Sequence, residues 1–191
     1  SGPILTPDRP RISSAGHWLR GTDGAFLDVD YGLAPPDDPK LRSNKPNYDP
    51  FSPCFAAALW SMDLLAEAGF PDNDQPIYYD DVELAFKARI LGWSAKFVRE
   101  AKALHPLPRR ATDPKRLAAQ RRGRLAVVAR YFPDRERKRI FDAIMTEHTA
   151  GSICGVDRDT EIQFFSQPPW GSSRERERVF EAWADMHSPT K

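Results

Sequence analysis

Residues 78–91 read YYDDVELAFKARIL, and the fold that we predict is built around this stretch. Its apolar residues fall mainly on one side of a helix from about 81 to 91, at positions Val82, Leu84, Ala85, Ala88 and Leu91. Asp80 and Asp81 stand at the N-terminus of this helix, where the helix dipole favours carboxylates. The stretch therefore predicts an amphipathic helix that opens with a pair of acids.

The residues after this helix predict a turn and a return strand. A turn at 92–93 is followed by two short extended pieces, 95–98 and 101–104, and His105 ends the second. The interval from Asp81 to His105 leaves room for a helix of about three turns, a turn and a strand. Such a unit can bring a carboxylate base and an imidazole metal ligand to one rim of a sheet. This arrangement is typical of displacement chemistry on a phosphate-activated substrate.

Composition and length limit the class of protein. The 191 residues suit one domain, or one domain with a helical appendage, and 40% of them are hydrophobic. The net charge of +1 gives no global argument for nucleic acid, and no apolar run approaches the ~20 residues that span a bilayer. Cys54 and Cys154 are too few for a disulfide framework, which indicates a reducing compartment, and we expect both to be buried. We therefore expect a cytoplasmic protein.

Many prolines lie before residue 77 and exclude long helices there. One short helix is expected in this part, at 62–68. Residues 12–19 and 25–29 read as two strands around a turn at 20–24. The apolar, alanine-rich run 51–60 reads as a buried strand. We therefore predict an α/β protein whose first part is built from strands and loops.

The second part of the chain has a different composition. Arginine-rich amphipathic helices are expected at 115–131 and 135–148, and the capping-box pattern of residues 172–175 predicts a last helix that ends at Met186. The composition changes near residue 110, which divides the chain into segments 1–110 and 111–191. The C-terminal helices are expected to cover the sheet, or to contact another copy of the chain or a membrane surface.

Several segments of the first part occur in a characteristic order: Ile12 to His17 with Gly24, Pro53 to Trp60, Ala68 to Asp72, Tyr79 to Arg89, Gly92-Trp93 and Ala103 to His105. This order resembles the acceptor-side half of family 2 glycosyltransferases, the inverting GT-A enzymes that include rhamnosyl- and galactofuranosyltransferases. The resemblance covers about residues 10–106. It implies a partial GT-A-like mixed sheet with flanking helices, followed by an arginine-rich helical extension.

The resemblance also implies a reaction and roles for the acidic residues. The reaction is transfer of a sugar, with inversion, from a nucleotide-diphosphate donor to a hydroxyl of a glycan or glycolipid acceptor. Asp81 corresponds to the general base that deprotonates this hydroxyl. Asp80 and Glu83 shape the acceptor site or brace the helix. His105 corresponds to a ligand of the divalent metal, Mn²⁺ or Mg²⁺, that holds the diphosphate.

The sequence contains further residues that a sugar-transfer site could use. Tyr78 and Tyr79 are placed to line an acceptor groove. Asp28-Val29-Asp30 is a literal D-x-D sequence, but we interpret it as a solvated loop, and His17 as a structural residue.

The part of the chain that resembles the family is only the acceptor-side half. The donor-binding half of the family, with its own D-x-D motif, would precede residue 10, and the opening residues Ser1-Gly2-Pro3 resemble a processing or cloning scar. We therefore expect the 191 residues to be part of a longer protein.

Two other interpretations of the chain stay open. In the first, the chain is a non-catalytic carbohydrate-binding or assembly module. In the second, it is an unrelated α/β domain in which the acidic pair only caps a helix.

Overall fold

Four of the five strands that the structure describes lie before residue 30, and most of the helices lie after residue 79. The computed structural model describes residues 2–6, 11–22, 24–32, 38–46, 48–71, 78–105, 113–149 and 163–184. The strands are β1 (Ile4–Leu5), β2 (Ile12–Ser14), β3 (His17–Arg20), β4 (Ala25–Asp28) and β5 (Ala103–Leu104). The helices are α1 (Met62–Ala68), α2 (Asp80–Ile90), α3 (Pro114–Tyr131), α4 (Asp134–Thr149) and α5 (Ser173–Trp183). The predicted α/β class is confirmed.

The strands form two small sheets. β1 pairs antiparallel with β2 and parallel with β5, so the three-stranded sheet is mixed, with the order β2-β1-β5. β3 and β4 form an antiparallel hairpin around the predicted turn, with Arg20 opposite Ala25 and His17 opposite Asp28. The single strand predicted over 12–19 is wrong, because the chain leaves the first sheet at Ala15 and enters the second at His17.

The buried strand predicted over 51–60 is not formed. Phe51 and Ser52 are buried, and Ser52 forms a bridge to His17, but a 3₁₀ turn occupies Phe55–Ala57 and Leu59 is 94% exposed. A strand needs a neighbour for its backbone hydrogen bonds, and the described residues supply one only at Ser52. Much of the apolar run therefore faces solvent.

Helix α2 lies at the centre of the fold. It begins one residue before the predicted start and ends at Ile90, and nine of its eleven residues are buried. The sequence predicted one buried face, but α1, α3 and α5 all pack against this helix and cover more of it. Its polar residues must therefore find partners inside the protein.

The C-terminal helices agree with their predicted positions to within about a residue, except that α5 ends at Trp183 and Met186 lies outside the described residues. The capping box is confirmed, since Ser172 Oγ accepts from the amide of Glu175 and the Glu175 carboxylate accepts from the amide of Ser172. These helices share one hydrophobic cluster with β3 and α2, which includes Leu19, Phe86, Leu125, Ile140 and Phe180.

The division of the chain into two segments near residue 110 stays a prediction. Among the described helices, none has the length and hydropathy needed to cross a membrane.

A buried ion pair joins two turns of α2. Lys87 Nζ lies 3.0 Å from Glu83 Oε1 and donates to the carbonyl of Phe70, and Tyr131 of α3 donates to the same Glu83 oxygen at 2.8 Å. The Glu83 and Lys87 side chains are 2% and 4% exposed. A charge with so little contact with water is tolerated only while its partner is present.

We predict that Lys87→Met lowers the free energy of unfolding by about 3–5 kcal/mol, because it leaves the Glu83 carboxylate buried without its cation. Urea unfolding measures the change. The double variant Glu83→Gln, Lys87→Met removes both charges and keeps an acceptor for Tyr131, so it should lose less stability than Lys87→Met alone. An equal or larger loss in the double variant would show that the pair is not what makes Lys87 necessary.

Candidate functional site

The β3–β4 hairpin brings an imidazole next to a carboxylate. His17 opens β3, Asp28 ends β4, and the register places the two residues opposite each other. His17 Nε2 lies 3.3 Å from Asp28 Oδ1. Cross-strand partners in an antiparallel pair have neighbouring side chains. The hairpin by itself is therefore enough to form this pair.

The segment after Pro50 crosses the edge of β3 and carries Cys54 to the same place. The amide of His17 donates to Ser52 O at 2.8 Å, and the amide of Phe51 donates to His17 O at 3.0 Å. This close approach requires glycine at position 16, where a Cβ atom would lie 2.8 Å from Ser52 O and where φ is +92°. The backbone pairing at His17 thus places Cys54 beside the imidazole.

Helix α2 supplies the third member of the cluster. Ser52 Oγ donates to the carbonyl of Asp81, which fixes the start of α2 against the same segment. Asp81 Oδ2 lies 3.9 Å from His17 Nδ1, and one ligand atom from each of His17, Cys54 and Asp81 lies within 4.8 Å of the others. We call these three residues the His17–Cys54–Asp81 cluster.

Hydrogen bonds hold the Asp81 carboxylate in place. Oδ1 accepts from the amide of Val82 at 2.8 Å, and Oδ2 accepts from the amide of Phe55 at 3.3 Å. By contrast, His17 Nδ1 is buried and has no hydrogen-bond partner among the described residues. The Cys54 side chain lies close enough to contribute to the raised pKa of His17. The cluster therefore contains one buried nitrogen with an unused bonding position.

Burial and charge act together on the pKa values of the site. Burial lowers the pKa of His17, but the charge of Asp81 and the hydrogen bond with Asp28 raise it by more, so it lies well above 6.5. Burial raises the pKa of Asp28, whereas its hydrogen bond with His17 lowers it by more, and the net pKa is below the usual value. Burial raises the pKa of Asp81, and the charge of His17 does not cancel this rise. His17 and Asp28 therefore form an imidazolium–carboxylate pair.

The predicted acceptor-site tyrosines lie beside this cluster in an unusual backbone conformation. Tyr78 and Tyr79 both have positive φ, 84° and 72°, directly before α2. Helix α3 packs closely there, since a Cβ atom at Gly123 would lie 2.6 Å from Tyr78 O. Strained residues of this kind concentrate at functional sites. Both tyrosines and Asp80 are half-buried, which leaves part of each accessible.

Glu83 and His105 lie apart from the cluster. Glu83 is 1% exposed and contacts Lys87 and Tyr131, so it braces α2, which is the second role that the sequence left open for it. His105 follows β5, is exposed, and its amide donates to Leu5 O. Contact of Glu83 with an acceptor, and metal ligation by His105, stay predictions.

The described residues show only part of the surroundings that a Mn²⁺ or Mg²⁺ site at His105 would need. Hard cations need several oxygen ligands. Within the described part of the chain, His105 does not belong to any group of three His, Cys, Asp or Glu ligand atoms that lie close together. No chemical step is therefore derived through such an ion.

The D-x-D sequence has a structural role that differs from the solvated loop that we predicted. Asp30 is buried and has positive φ, and its two carboxylate oxygens accept from the amides of Arg42 and Ser43. Asp28 pairs with His17. The two acids do not serve one site: Asp28 contacts His17 of the cluster, and Asp30 anchors the loop that contains the 3₁₀ turn Arg42–Asn44.

A groove of about 720 Å³ lies next to the cluster. Phe55, whose amide donates to Asp81, lines it together with Trp60, Trp93, Lys96 and Lys102. The two tryptophans are both core residues and rim residues. Both are half-buried, pack against the cluster of Leu64 and Leu84, and also line the groove.

His17 and Cys54 are not among the site residues that the sequence predicts. His17 was assigned a structural role and Cys54 was expected to be buried, whereas Cys54 is half-exposed; Cys154 lies outside the described residues. The hairpin was the available signal for His17, but the predicted turn at 20–24 would place residue 17 opposite residue 27. The observed turn is one residue shorter, pairs Arg20 with Ala25 and so places His17 opposite Asp28. No pattern in the sequence indicates that Cys54 and Asp81 meet this pair.

Comparison of the chain with protein-family models, with curated proteins and with solved structures gives no match. The geometry of the described residues is therefore the basis for any functional proposal.

We predict that His17→Gln destabilises the protein more at pH 6 than at pH 10. The folded-state pKa of His17 is raised, so its contribution is complete below the unfolded-state value of about 6.5 and is lost as the pH rises through the folded-state pKa. Urea unfolding of the wild type and of His17→Gln at the two pH values measures this difference. The same loss at both values would show that His17 does not gain stability from protonation.

Proposed function

We propose that this chain forms the acceptor side of a sugar-transfer site in a GT-A-like fold, with Asp81 as the general base. In the proposed reaction, an acceptor hydroxyl loses its proton to Asp81 and attacks the anomeric carbon of a nucleotide-diphosphate sugar. The bond from this carbon to the diphosphate breaks, the nucleoside diphosphate leaves from the opposite face, and the anomeric configuration is inverted. The acceptor is a glycan or glycolipid. The order of motifs between residues 10 and 106 motivates the reaction class, and the placement of Asp81 supports it.

The observation that carries the proposal is the position of the Asp81 carboxylate between the start of α2 and the groove wall. It is held by the amides of Val82 and Phe55, and Phe55 itself lines the groove. A general base must be fixed within hydrogen-bonding distance of the proton that it removes. Anchoring by two amides from different segments supplies this rigidity.

The charge environment of Asp81 is suited to proton transfer. Burial raises the pKa of this carboxyl, which brings it closer to neutral pH than that of an exposed aspartate. A base whose pKa is closer to the working pH is a better proton acceptor for a weakly acidic hydroxyl. The positive charge of His17, which lies on β3, limits this rise in the pKa of Asp81.

The groove has the mixed chemistry that a sugar substrate requires. Phe55, Trp60 and Trp93 provide flat apolar surfaces for the faces of sugar rings, and Phe55 and Trp60 pack edge to face at 5.5 Å. Lys96 and Lys102 provide cations for phosphate oxygens. Aromatic walls with a small number of charged groups are typical of small-molecule sites.

The second candidate is a carbohydrate-binding or assembly module without catalysis. One observation favours it: both Asp81 oxygens already accept backbone hydrogen bonds, which is also what a carboxylate that only stabilises a helix start would do. In this reading the groove binds a glycan, and Asp81 has no role in turnover.

We predict that Asp81→Asn lowers the rate of sugar transfer by about 10²–10⁴-fold, because it removes the proton acceptor while keeping a similar shape. The assay uses the longest natural polypeptide that contains this chain. Asp63→Asn is the matched control, since it makes the same substitution at an exposed aspartate in the first turn of α1, outside the proposed site. Transfer that continues unchanged in Asp81→Asn would contradict the base assignment and favour the binding module.

Calorimetric titration with UDP, GDP and dTDP, with and without Mn²⁺, tests the division between donor and acceptor sides. We expect no metal-dependent binding by this chain, because the close group of ligand atoms found among the described residues, at His17, Cys54 and Asp81, contains only one carboxylate. Binding that requires Mn²⁺ would show that the chain contains a donor site, and the acceptor-side proposal would then be wrong.

A further inference from the structure

We propose that His17, Cys54 and Asp81 form a binding site for a thiophilic divalent cation, Zn²⁺, with Asp28 as the residue that orients His17. This site is separate from the metal that was predicted at His105, and it does not depend on the proposed sugar transfer.

The three ligand types are those that Zn²⁺ uses in proteins. Zn²⁺ binds imidazole nitrogen, thiolate sulfur and carboxylate oxygen at about 2.0–2.3 Å, usually in a tetrahedron, and three protein ligands leave one position open. In such a tetrahedron the ligand atoms lie roughly 3.3–3.7 Å apart. His17 Nδ1 and Asp81 Oδ2 are 3.9 Å apart, and all three ligand atoms lie within 4.8 Å of one another. A contraction of at most roughly 1.5 Å between any two ligand atoms, through side-chain rotation, closes the set around an ion.

The surroundings of the cluster are arranged as in metal sites. A histidine ligand commonly donates its second ring N–H to a carboxylate, which directs the other nitrogen to the metal. Here Nε2 faces Asp28 Oδ1 at 3.3 Å, and Nδ1 faces Asp81. The Asp81 carboxylate is itself held by the amides of Val82 and Phe55. The ligands are therefore oriented before an ion arrives.

The buried Nδ1 atom of His17 is the observation that points to a ligand. It has no hydrogen-bond partner among the described residues, although a buried ring nitrogen in this position normally has one. A metal ion would satisfy it. Ion binding displaces the protons of His17 Nδ1 and of the Cys54 thiol, so that imidazole and thiolate become ligands. Mg²⁺ and Mn²⁺ prefer oxygen ligands, so the thiolate makes the site selective for Zn²⁺ over them.

The ligands come from three separate parts of the chain: strand β3, the segment before the 3₁₀ turn at Phe55–Ala57, and the start of α2. An ion held by all three would fix the hairpin, the groove wall and the central helix relative to one another. The same ion would occupy Asp81, which the proposed sugar transfer uses as a base, so zinc binding is measured without any sugar substrate.

The test is equilibrium dialysis of this chain against Zn²⁺, with metal analysis, and a parallel titration with Co²⁺ that detects thiolate ligation by its charge-transfer absorption. We expect about one Zn²⁺ per chain, and at least a tenfold weaker affinity in Cys54→Ser and in His17→Gln. Asp28→Asn, which changes only the orienting residue, should weaken binding by about 10–100-fold.

Two control variants separate this site from other zinc ligands. Cys154→Ser and His105→Ala remove a second cysteine and an exposed histidine, and both should bind Zn²⁺ like the wild type. Thermal unfolding without metal establishes that each variant is folded. Equal zinc affinity in Cys54→Ser and the wild type, or a Co²⁺ thiolate band that survives in Cys54→Ser, would overturn the proposal. So would a failure of the folded wild-type chain to retain Zn²⁺ at micromolar concentrations.

Discussion

The burial of helix α2 on nearly all sides is the constraint on which the rest of the structure depends. Its charged residues are satisfied from different directions: Glu83 by Lys87 and Tyr131, Asp81 by the segment at Phe55, and Arg89 by Asp49 at 2.8 Å. Apart from Lys87, which lies on α2 itself, each partner comes from a different part of the fold. The polar residues of one helix thus determine where α3, the groove wall and the loop before Phe51 can lie.

The same constraint explains why the candidate site forms at the start of α2. A helix N-terminus has free amides that favour a carboxylate, and burial there raises the pKa of Asp81. The hairpin lies against this end through Ser52, which bridges to His17 and donates to the carbonyl of Asp81. The proposed base and the proposed zinc site therefore use the same carboxylate, and they differ in what would approach it: an acceptor hydroxyl or a cation.

Two arginines of α5 form hydrogen bonds to backbone carbonyls inside the fold. Arg176 donates to the carbonyls of Phe132 and Gly171, and Arg178 donates to the carbonyl of Ile90 at the end of α2. The planar guanidinium carries several donors and suits carbonyl groups that a helix end leaves without partners. For these residues, the arginine-rich composition reflects packing of α5 onto the fold rather than a surface for an anionic partner.

The sequence by itself determined the helices and the hairpin, because each depends on neighbours within a few residues. The apolar spacing and paired acids of α2, the capping box at Ser172 and the turn between β3 and β4 are local signals, and the structure agrees with them. The run 51–60 was misjudged because an apolar segment becomes a strand only where a second strand accepts its hydrogen bonds. Only the tertiary structure decided that His17, Cys54 and Asp81 meet while His105 stays apart, since their contacts join segments that are distant in sequence and are set by how α2 and the hairpin pack.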